Sequence, residues 1–299
     1  MTQAAVSQQI RTLEDQLGVK LFERASRGLV LTVPGKDLAA AARTALDVLN
    51  ESIDRITPSS SPGGVLTLST LPSFAARWLV PRLDRFQALH PDIELRLHTS
   101  GDLVDLLGSS IDAAIRFGPA TGAGLVVTAS MPDALCLVAA PALAARIGTD
   151  PERLHDHPMA VDDATLLGTA SSATTTTATE RAIDQLGLDR KRLRRRVFST
   201  SDNVVQSALT GEATALTRLS LVLDDIDAGQ LVLLLDFALD LEHGTSFCHA
   251  ASRRDDPTLA ALRSWFEDES ERFNRRMADR LSGCSIPMTA PDRARAPPR

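Results

Sequence analysis

Four polar side chains near the start of this 299-residue chain, Gln3, Ser7, Gln8 and Arg11, fall largely at i, i+4 on one face of a helix. That face carries amides, a hydroxyl and a guanidinium, with no carboxylate before Glu14. Glutamine can bond adenine N6 and N7 bidentately, and arginine can bond guanine or phosphate. Thr2 is placed to cap the helix, and a polar helix start suits phosphate contact. Val6, Ile10, Leu13 and Leu17 form the opposite, apolar face, and Gly18 is placed to end the helix. An ordinary amphipathic surface helix has the same pattern, so spacing alone leaves both readings open.

A second group of polar residues stands where short apolar runs stop. Thr70 and Ser73 follow one run, Thr99 and Ser100 a second, and Arg116 and Phe117 close a third. Ser199, Thr200 and Ser201 follow RRRVF and precede the helical stretch DNVVQSALTG. Open α/β sheets bind ligands beyond the carboxyl ends of their strands, where hydroxyls and free backbone N–H groups suit an anion. Taken singly, these serines and threonines also read as helix caps, and Arg116 also reads as the partner of an acidic neighbour.

Enzymatic and metal constellations are hard to assemble. GxSxG, HExxH, P-loop and strand-following GxGxxG patterns do not occur. His155 and His157 flank Asp156 in a stretch that reads as a solvated loop, and Asp162/Asp163 and Asp224/Asp225 read as loop and helix-end acids. Cys136, Cys248 and Cys284 are far apart, giving neither a CxxC zinc site nor a disulfide framework. The expectation is no enzyme, no metal and no cofactor.

The elements that would position these groups come from periodicity. Net charge is -6 and 43% of residues are hydrophobic, which supports a globular chain and argues against one that coats nucleic acid along its length. No apolar run approaches a membrane span, and the N-terminus lacks a secretory pattern, so the expectation is a cytoplasmic protein with no membrane partner. Residues 1–57 read as almost wholly helical with one break. Ala39, Ala42, Leu46, Leu49, Ile53 and Ile56 form a heptad-like seam, of which Ala42 to Ile56 are the candidate dimer contacts. PSSSPGG at 58–64 is a hinge. Beyond it, strands are expected near 65–69, 93–98, 112–116, 133–139 and 194–198. Helices are expected near 75–89, 101–109, 141–146, 175–186 and 202–210. That alternation predicts parallel sheets covered by helices. The Ser/Thr tract LLGTASSATTTTATERAI reads as a polar loop running into a helix capped by Thr177 or Thr179. Residues 275–299, rich in Arg and Pro, read as a disordered tail.

The run TQAAVSQQIRTLEDQLGVKLFERASRGLVLTVPG closely resembles the winged helix-turn-helix of LysR-type transcriptional regulators. The resemblance implies that Gln3, Ser7, Gln8 and Arg11 face the major groove, with Thr2 beside them. It implies that Arg24, Arg27 and Thr32 lie on or near a wing that touches backbone or minor groove. Residues 1–36 carry five basic and three acidic side chains, enough for a few phosphate contacts. The family carries roughly thirty residues before this run, and Met1 stands where it usually has valine, as though a GTG codon were read as a start. The expectation is an incomplete winged helix with nothing from its own chain over Val6, Ile10, Leu13 and Leu17.

The resemblance continues through VLTLSTLPSFAARWLVPRLDRFQALHPDIELRLHTSG and DAAIRFGP, and weakly to about residue 274. It points to the subgroup containing the glycine-cleavage activator and certain β-lactamase regulators. It implies an α/β fold: a partial winged helix at 1–33, a linker and dimerisation helix at 34–57, and a two-lobed effector domain, similar to periplasmic binding proteins, at 65–274. Lobe I takes 65–137 and 243–274, and lobe II takes 138–242. In that subgroup Thr245, Ser246 and Phe247 stand at a pocket-facing place. GEATALTR at 211–218 departs from the family's G-x-G-x-A-L-x-P by lacking the second glycine and the proline. The partners implied are double-stranded operator DNA, a small and anionic effector, RNA polymerase, and further copies of the chain as dimer or tetramer. The competing readings are a solute-binding module and a non-DNA-binding partner of a longer regulator.

Overall fold

A computed structural model describes residues 3–25, 28–39, 41–42, 45, 64–102, 104–107, 109–118, 124–162 and 172–282. The chain divides into two compact units, Met1–Ser60 and Ser61–Arg299.

In the first unit, α1 (Gln3–Leu17) ends at Gly18, whose φ of 69° and N–H bond to the Glu14 carbonyl (2.9 Å) make a left-handed cap. β1 (Phe22–Ala25) and β2 (Gly28–Leu31) then pair antiparallel, with Phe22 opposite Leu31. This two-stranded wing interrupts the helical reading of 1–57. A second helix, α2, follows over 33–39. Thr32 Oγ1 accepts from the Gly35 N–H (3.1 Å), an N-cap with Pro34 in the first turn. A Cβ on Gly35 would stand 2.0 Å from the Leu21 carbonyl oxygen, so only glycine fits there. Of the seam, Ala42 is helical and exposed; Leu46, Leu49, Ile53 and Ile56 lie outside the described residues, as do most of 58–64 and residues 283–299, while 275–281, expected to begin a disordered tail, continue the last helix instead.

The second unit is built on two five-stranded sheets. The first has the order β4 (Glu94–Thr99), β3 (Val65–Thr70), β5 (Ala113–Phe117), β12 (Thr245–Ala250), β6 (Leu125–Met131). The second has β11 (Val232–Asp240), β7 (Ala134–Ala139), β10 (Thr214–Arg218), β8 (Met159–Asp162), β9 (Arg195–Phe198). The chain crosses between sheets twice, after Met131 and after Asp240. A Cβ on Gly244 would meet the Met131 carbonyl oxygen at 2.0 Å, so the two crossovers approach as closely as glycine allows.

Helices cover the sheets. α3 (Pro72–Phe74) runs through a π-helical turn (Ala75–Leu79) and a 3-10 turn (Val80–Arg82) into α4 (Leu83–Leu89). α5 (Pro141–Ile147), α6 (Ser172–Gln185), α7 (Ser201–Leu209) and α8 (Leu223–Asp227) serve the second sheet. α9 (Pro257–Leu281) packs on β6. Trp78 stacks on Phe74 (4.9 Å) and meets Phe266 of α9 edge-on (5.7 Å).

Several expectations need correction. The sheets are mixed, because β6, β7, β11 and β12 return antiparallel to a neighbour. The helix expected at 101–109 is absent from its described residues. There Asp102 N bonds Ser100 Oγ, Leu107 N bonds Asp105 Oδ1 and Ile111 N bonds Ser109 Oγ, so side chains take the amides a helix would need. The helix at 75–89 is broken where Pro81 removes a donor. α6 starts at Ser172, before either threonine expected to cap it.

Candidate functional site

The strand registers bring one edge of each sheet together. In the first sheet Thr70 pairs with Thr99 and Ile115, Phe117 with Thr245, and Thr245 with Met131. The carboxyl ends of β3, β4, β5 and β6 and the start of β12 therefore share one edge. In the second sheet Asp162 pairs with Phe198, and Arg218 with Leu135. That edge carries the ends of β8, β9 and β10. The edges touch: the Arg218 guanidinium lies 4.4 Å above the Phe117 ring.

Helix starts join the lobes beside this contact. Ser73 Oγ accepts from the Asp202 N–H (3.0 Å), linking α3 to α7. Arg77 Nε donates to Asp202 (2.7 Å) and its Nη1 to Asp225 (3.1 Å). Arg82 makes a two-pronged bond to Asp224 (2.9 and 3.1 Å), which also accepts from Arg276 (2.7 Å). Burial would raise the Asp224 carboxyl, yet Arg82 and Arg276 hold it below its ordinary value.

Strand alternation sorts the expected residues by face. Ala113, Ile115 and Phe247 belong to the main core, which continues into the second lobe through Ala134, Val138 and Val204. Thr70, Phe117 and Thr245 share their parity at the strand ends, where Phe117 meets Arg218 of the other lobe. Ala114 and Cys248 point the other way, toward Leu106 and Ile111, and Ser69, Arg116 and Ser246 go with them. Arg116 Nη2 donates to Ser69 Oγ (2.8 Å) and the Asp102 carbonyl (3.1 Å), neither of them a carboxylate. Burial pushes its pKa down. Phe247 is fully buried against Phe266 (5.9 Å), a core position rather than a pocket wall.

Of the remaining candidates, Thr99 is exposed, and Ser100, Ser199 and Thr200 are half-buried. Thr200 stands at the N-cap of α7 without a side-chain cap bond, and Ser201 Oγ donates to Asp162. Ser73, Thr99, Ser199, Thr200 and Ser201 thus sit at the facing strand ends or helix starts.

Two residues here were not among the expected ones. Arg218 and Asp133 are both buried. Asp133, in the first crossover, accepts from Ser220 N (3.0 Å), Ser220 Oγ and Ala134 N (2.9 Å), while its carbonyl accepts from Leu241 N (3.2 Å) in the second. Burial pushes its carboxyl up, and nearby Arg218 draws it partly back. The signal for Arg218 was available: TALTR ends a central strand in arginine just as AAIRF nearly does. Thr70 Oγ1, Thr245 Oγ1 and Arg218 Nη1 are buried without a hydrogen-bond partner. Each such group costs about 1–3 kcal/mol.

In the N-terminal unit Gln8 and Arg11 are exposed on α1 and Ser7 is half-buried. Val6, Leu13 and Leu17 of the apolar face are also exposed. Gln3 lies in the helix and Arg24 in β1, their side chains outside the description; Thr2 and Arg27 fall outside the described residues. The Thr32 hydroxyl is engaged internally, donating to the Lys20 carbonyl (2.7 Å) and accepting from Gly35. Glu14 fastens α1 to the wing, accepting from Lys20 Nζ (2.7 Å), Leu21 N (2.8 Å) and Phe22 N (3.2 Å).

Two family models match. Residues 59–271 match the LysR substrate binding domain, and residues 1–36 match the bacterial regulatory helix-turn-helix protein, lysR family. The glycine cleavage system transcriptional activator of Escherichia coli K12 is 34% identical over 282 residues, covering 91% of this chain and 88% of the relative. The HTH-type transcriptional activator AmpR of Providencia stuartii is 31% identical over 272 residues, at 91% and 88% coverage. Among solved structures, the effector domain of AmpR from Pseudomonas aeruginosa superimposes with a TM-score of 0.57 at 25% identity, over 71% of this chain and 98% of that one. Full-length AphB of Vibrio cholerae shares the fold, with a TM-score of 0.54 at 19% identity and 89% coverage of each chain.

Proposed function

Since the chain belongs to the LysR family of DNA-binding transcriptional regulators, we propose that it changes transcription when a small molecule settles between the two lobes of its effector domain. Members of the family bind DNA and small effectors and assemble as oligomers. We place the effector domain at 65–274, the linker helix at 34–57 and the DNA-reading segment at 1–33. The effector contacts are Thr70, Ser73, Thr99, Ser100, Ser199, Thr200, Ser201 and Thr245, with Arg218 joining them from the end of β10. The DNA contacts are Gln3, Ser7, Gln8 and Arg11 on the first helix, Thr2 just before it, and Arg24, Arg27 and Thr32 on or near the wing.

The observation that carries the reading is the register. It sets the strand ends of the two sheets against each other, with Arg218 of one lobe on Phe117 of the other. A ligand in that seam touches both lobes at once, so it favours one lobe geometry over others, and a shift in lobe geometry shifts how paired DNA-reading helices sit on two half-sites. Hydroxyls, helix starts and an arginine favour an effector with negative charge. RNA polymerase is the partner such a protein would recruit or block. The setting is the cytoplasm, where the DNA is. We read the chain as a regulator rather than an enzyme because its relatives are transcriptional activators.

The test is footprinting of the full chain on the DNA upstream of its own gene, with and without metabolites that raise its melting temperature. A footprint that changes length or position with one of them is expected. A footprint indifferent to every stabilising metabolite would overturn the proposal.

A further inference from the structure

The stretch DRKRLRRR at 189–196 crowds Arg190, Lys191, Arg192, Arg194, Arg195 and Arg196 together in a chain whose net charge is -6. All six are exposed, and Leu193 among them turns inward. The stretch runs into β9, which stands last in the order of the second sheet and pairs with β8 on one side. Its other edge has no strand partner among the described residues. Charged side chains on such an edge keep it from pairing with another chain. That guard accounts for Arg195 and Arg196, which belong to β9; it does not account for the four cations that precede the strand.

Four of the six have carboxylate partners. Arg190 bonds Asp184 (2.8 Å), Arg192 bonds Glu152 (2.8 Å), Arg195 bonds Glu180 (2.7 Å) and Arg196 approaches Glu212 (3.3 Å). Glu180 is shared, since Arg190 reaches it too (3.1 Å). These pairs lie at the surface, where ion pairs are weak and screened by salt. Asp189 turns its carboxylate to the Lys191 backbone N–H (2.9 Å). Lys191 Nζ has no acidic partner among the described residues, and Arg194 donates to a neutral group, the Asp156 carbonyl. The edge therefore carries two cations that no described carboxylate bonds, flanked by four that are held only by exposed pairs.

We propose that this open edge of lobe II, through Lys191 and Arg194 and the arginines beside them, is a second DNA contact that grips the phosphate backbone without reading sequence. Duplex DNA carries one negative charge per about 1.7 Å of its axis, a density that suits a row of closely spaced cations. Lysine meets a phosphate as a point charge and arginine meets it two-pronged. The chain belongs to a family of DNA-binding regulators, so a duplex held by the N-terminal segment is tethered to the same molecule, and contacts too weak to hold DNA alone then add to its affinity. The proposal goes beyond the contacts placed on residues 1–33 and does not depend on where the effector lies. A chain that met DNA through 1–33 alone would show only the salt dependence of those few contacts; the edge adds that of Lys191 and Arg194.

Fluorescence anisotropy of the full chain across a salt series tests this, on a duplex from the DNA upstream of its own gene and on a scrambled duplex of equal length. The double replacement Lys191→Gln/Arg194→Gln is expected to lower the slope of log affinity against log salt by about 1.8 on both duplexes, the value for two lost phosphate contacts. Gln8→Ala should weaken the upstream duplex alone and leave its slope in place, which separates the edge from the reading helix. Both replaced side chains are exposed, so the melting temperature should hold. Should it fall, Lys191→Gln alone carries the test, with an expected drop in slope of about 0.9. Slopes that the replacements leave unchanged overturn the edge contact and leave the reading of residues 1–33 standing. A slope that falls on the upstream duplex only overturns it as a sequence-independent contact. Poly-glutamate that binds the wild type and is lost on the double replacement, while both DNA slopes hold, assigns the edge to an acidic protein and overturns the proposal. No salt-sensitive binding of either duplex overturns both DNA readings together.

Discussion

Glu14 is the one acidic side chain of the DNA-reading helix that the fold turns inward. Its carboxylate gathers an ammonium and two backbone amides and so fixes where the wing begins. The bond from Lys20, then that from Leu21, holds its pKa below the ordinary 4.5. A depressed carboxyl stabilises the fold above its unfolded value and loses that contribution as the pH falls through its folded value. Protection of the Leu21 and Phe22 amides from hydrogen exchange should therefore fade below pH 4.5 and be reduced at neutral pH by Glu14→Gln. Phe247 makes the opposite lesson. The resemblance placed it at a pocket with Ser246, but Phe247 lies two residues inside the strand from Thr245 and is buried against Phe266, while Ser246 turns to the opposite side of the sheet. Phe247→Ala should cost about 3–5 kcal/mol in a denaturant melt, as for a buried aromatic. A loss under 1 kcal/mol, on the order of a surface change, would return Phe247 to the pocket. The same parity separates Arg116 from Phe117, and it was legible in AAIRF. Which parity faced the second lobe was not, because that depends on the crossovers.

At the scale of elements, the legible strands are β5 and β7, which are mostly apolar throughout, β3 and β4, which alternate apolar and polar residues, and the sheet-edge strand β9. Those passed over are β6, β8, β10, β11 and β12. LVVTASM and TALTR mix hydroxyls with apolar residues, and β11 is bent by a bulge at Leu235 and Asp236, both with positive φ. Several of these strands return antiparallel, which a strand–helix rhythm does not announce. The ties between α3, the 3-10 turn Val80–Arg82, α8 and α9 are also invisible in sequence, since Arg82 and Asp224 are 142 residues apart. They hold the lobes together through charge. Asp224 and Asp227 are both held below 3.8, so their contribution is intact above that value and lost as the pH falls beneath it. Melting temperature should drop below pH 3.8 more steeply in the wild type than in Asp224→Asn. Parallel acid limbs would remove the lobe tie from the account.

Across the whole molecule, the division of labour follows charge. If a chain of net charge -6 meets DNA only through residues 1–33, its affinity for DNA should be modest and its salt dependence should match a few phosphate contacts. Arg11→Ala should weaken binding and lower the slope of log affinity against log salt by about 1, as for one lost phosphate contact. An unchanged slope with weaker binding would mean that Arg11 reads a base without releasing a counterion. The family, the reading helix and the two-lobed plan were legible because long contiguous runs carry them. The proposed effector contacts were only partly legible, because Arg218, Thr70 and Thr245 come from three separate strands.

The central claim is that the effector lies in the seam between lobes. Hydrogen exchange of the full chain, with and without the metabolite that most raises its melting temperature, tests that most directly. The account predicts new protection concentrated at Thr70–Ser73, Phe117, the start of α7, Arg218 and Thr245, with little change on the outer faces of either sheet. Protection confined to one lobe, or lying away from those strand ends, would contradict it.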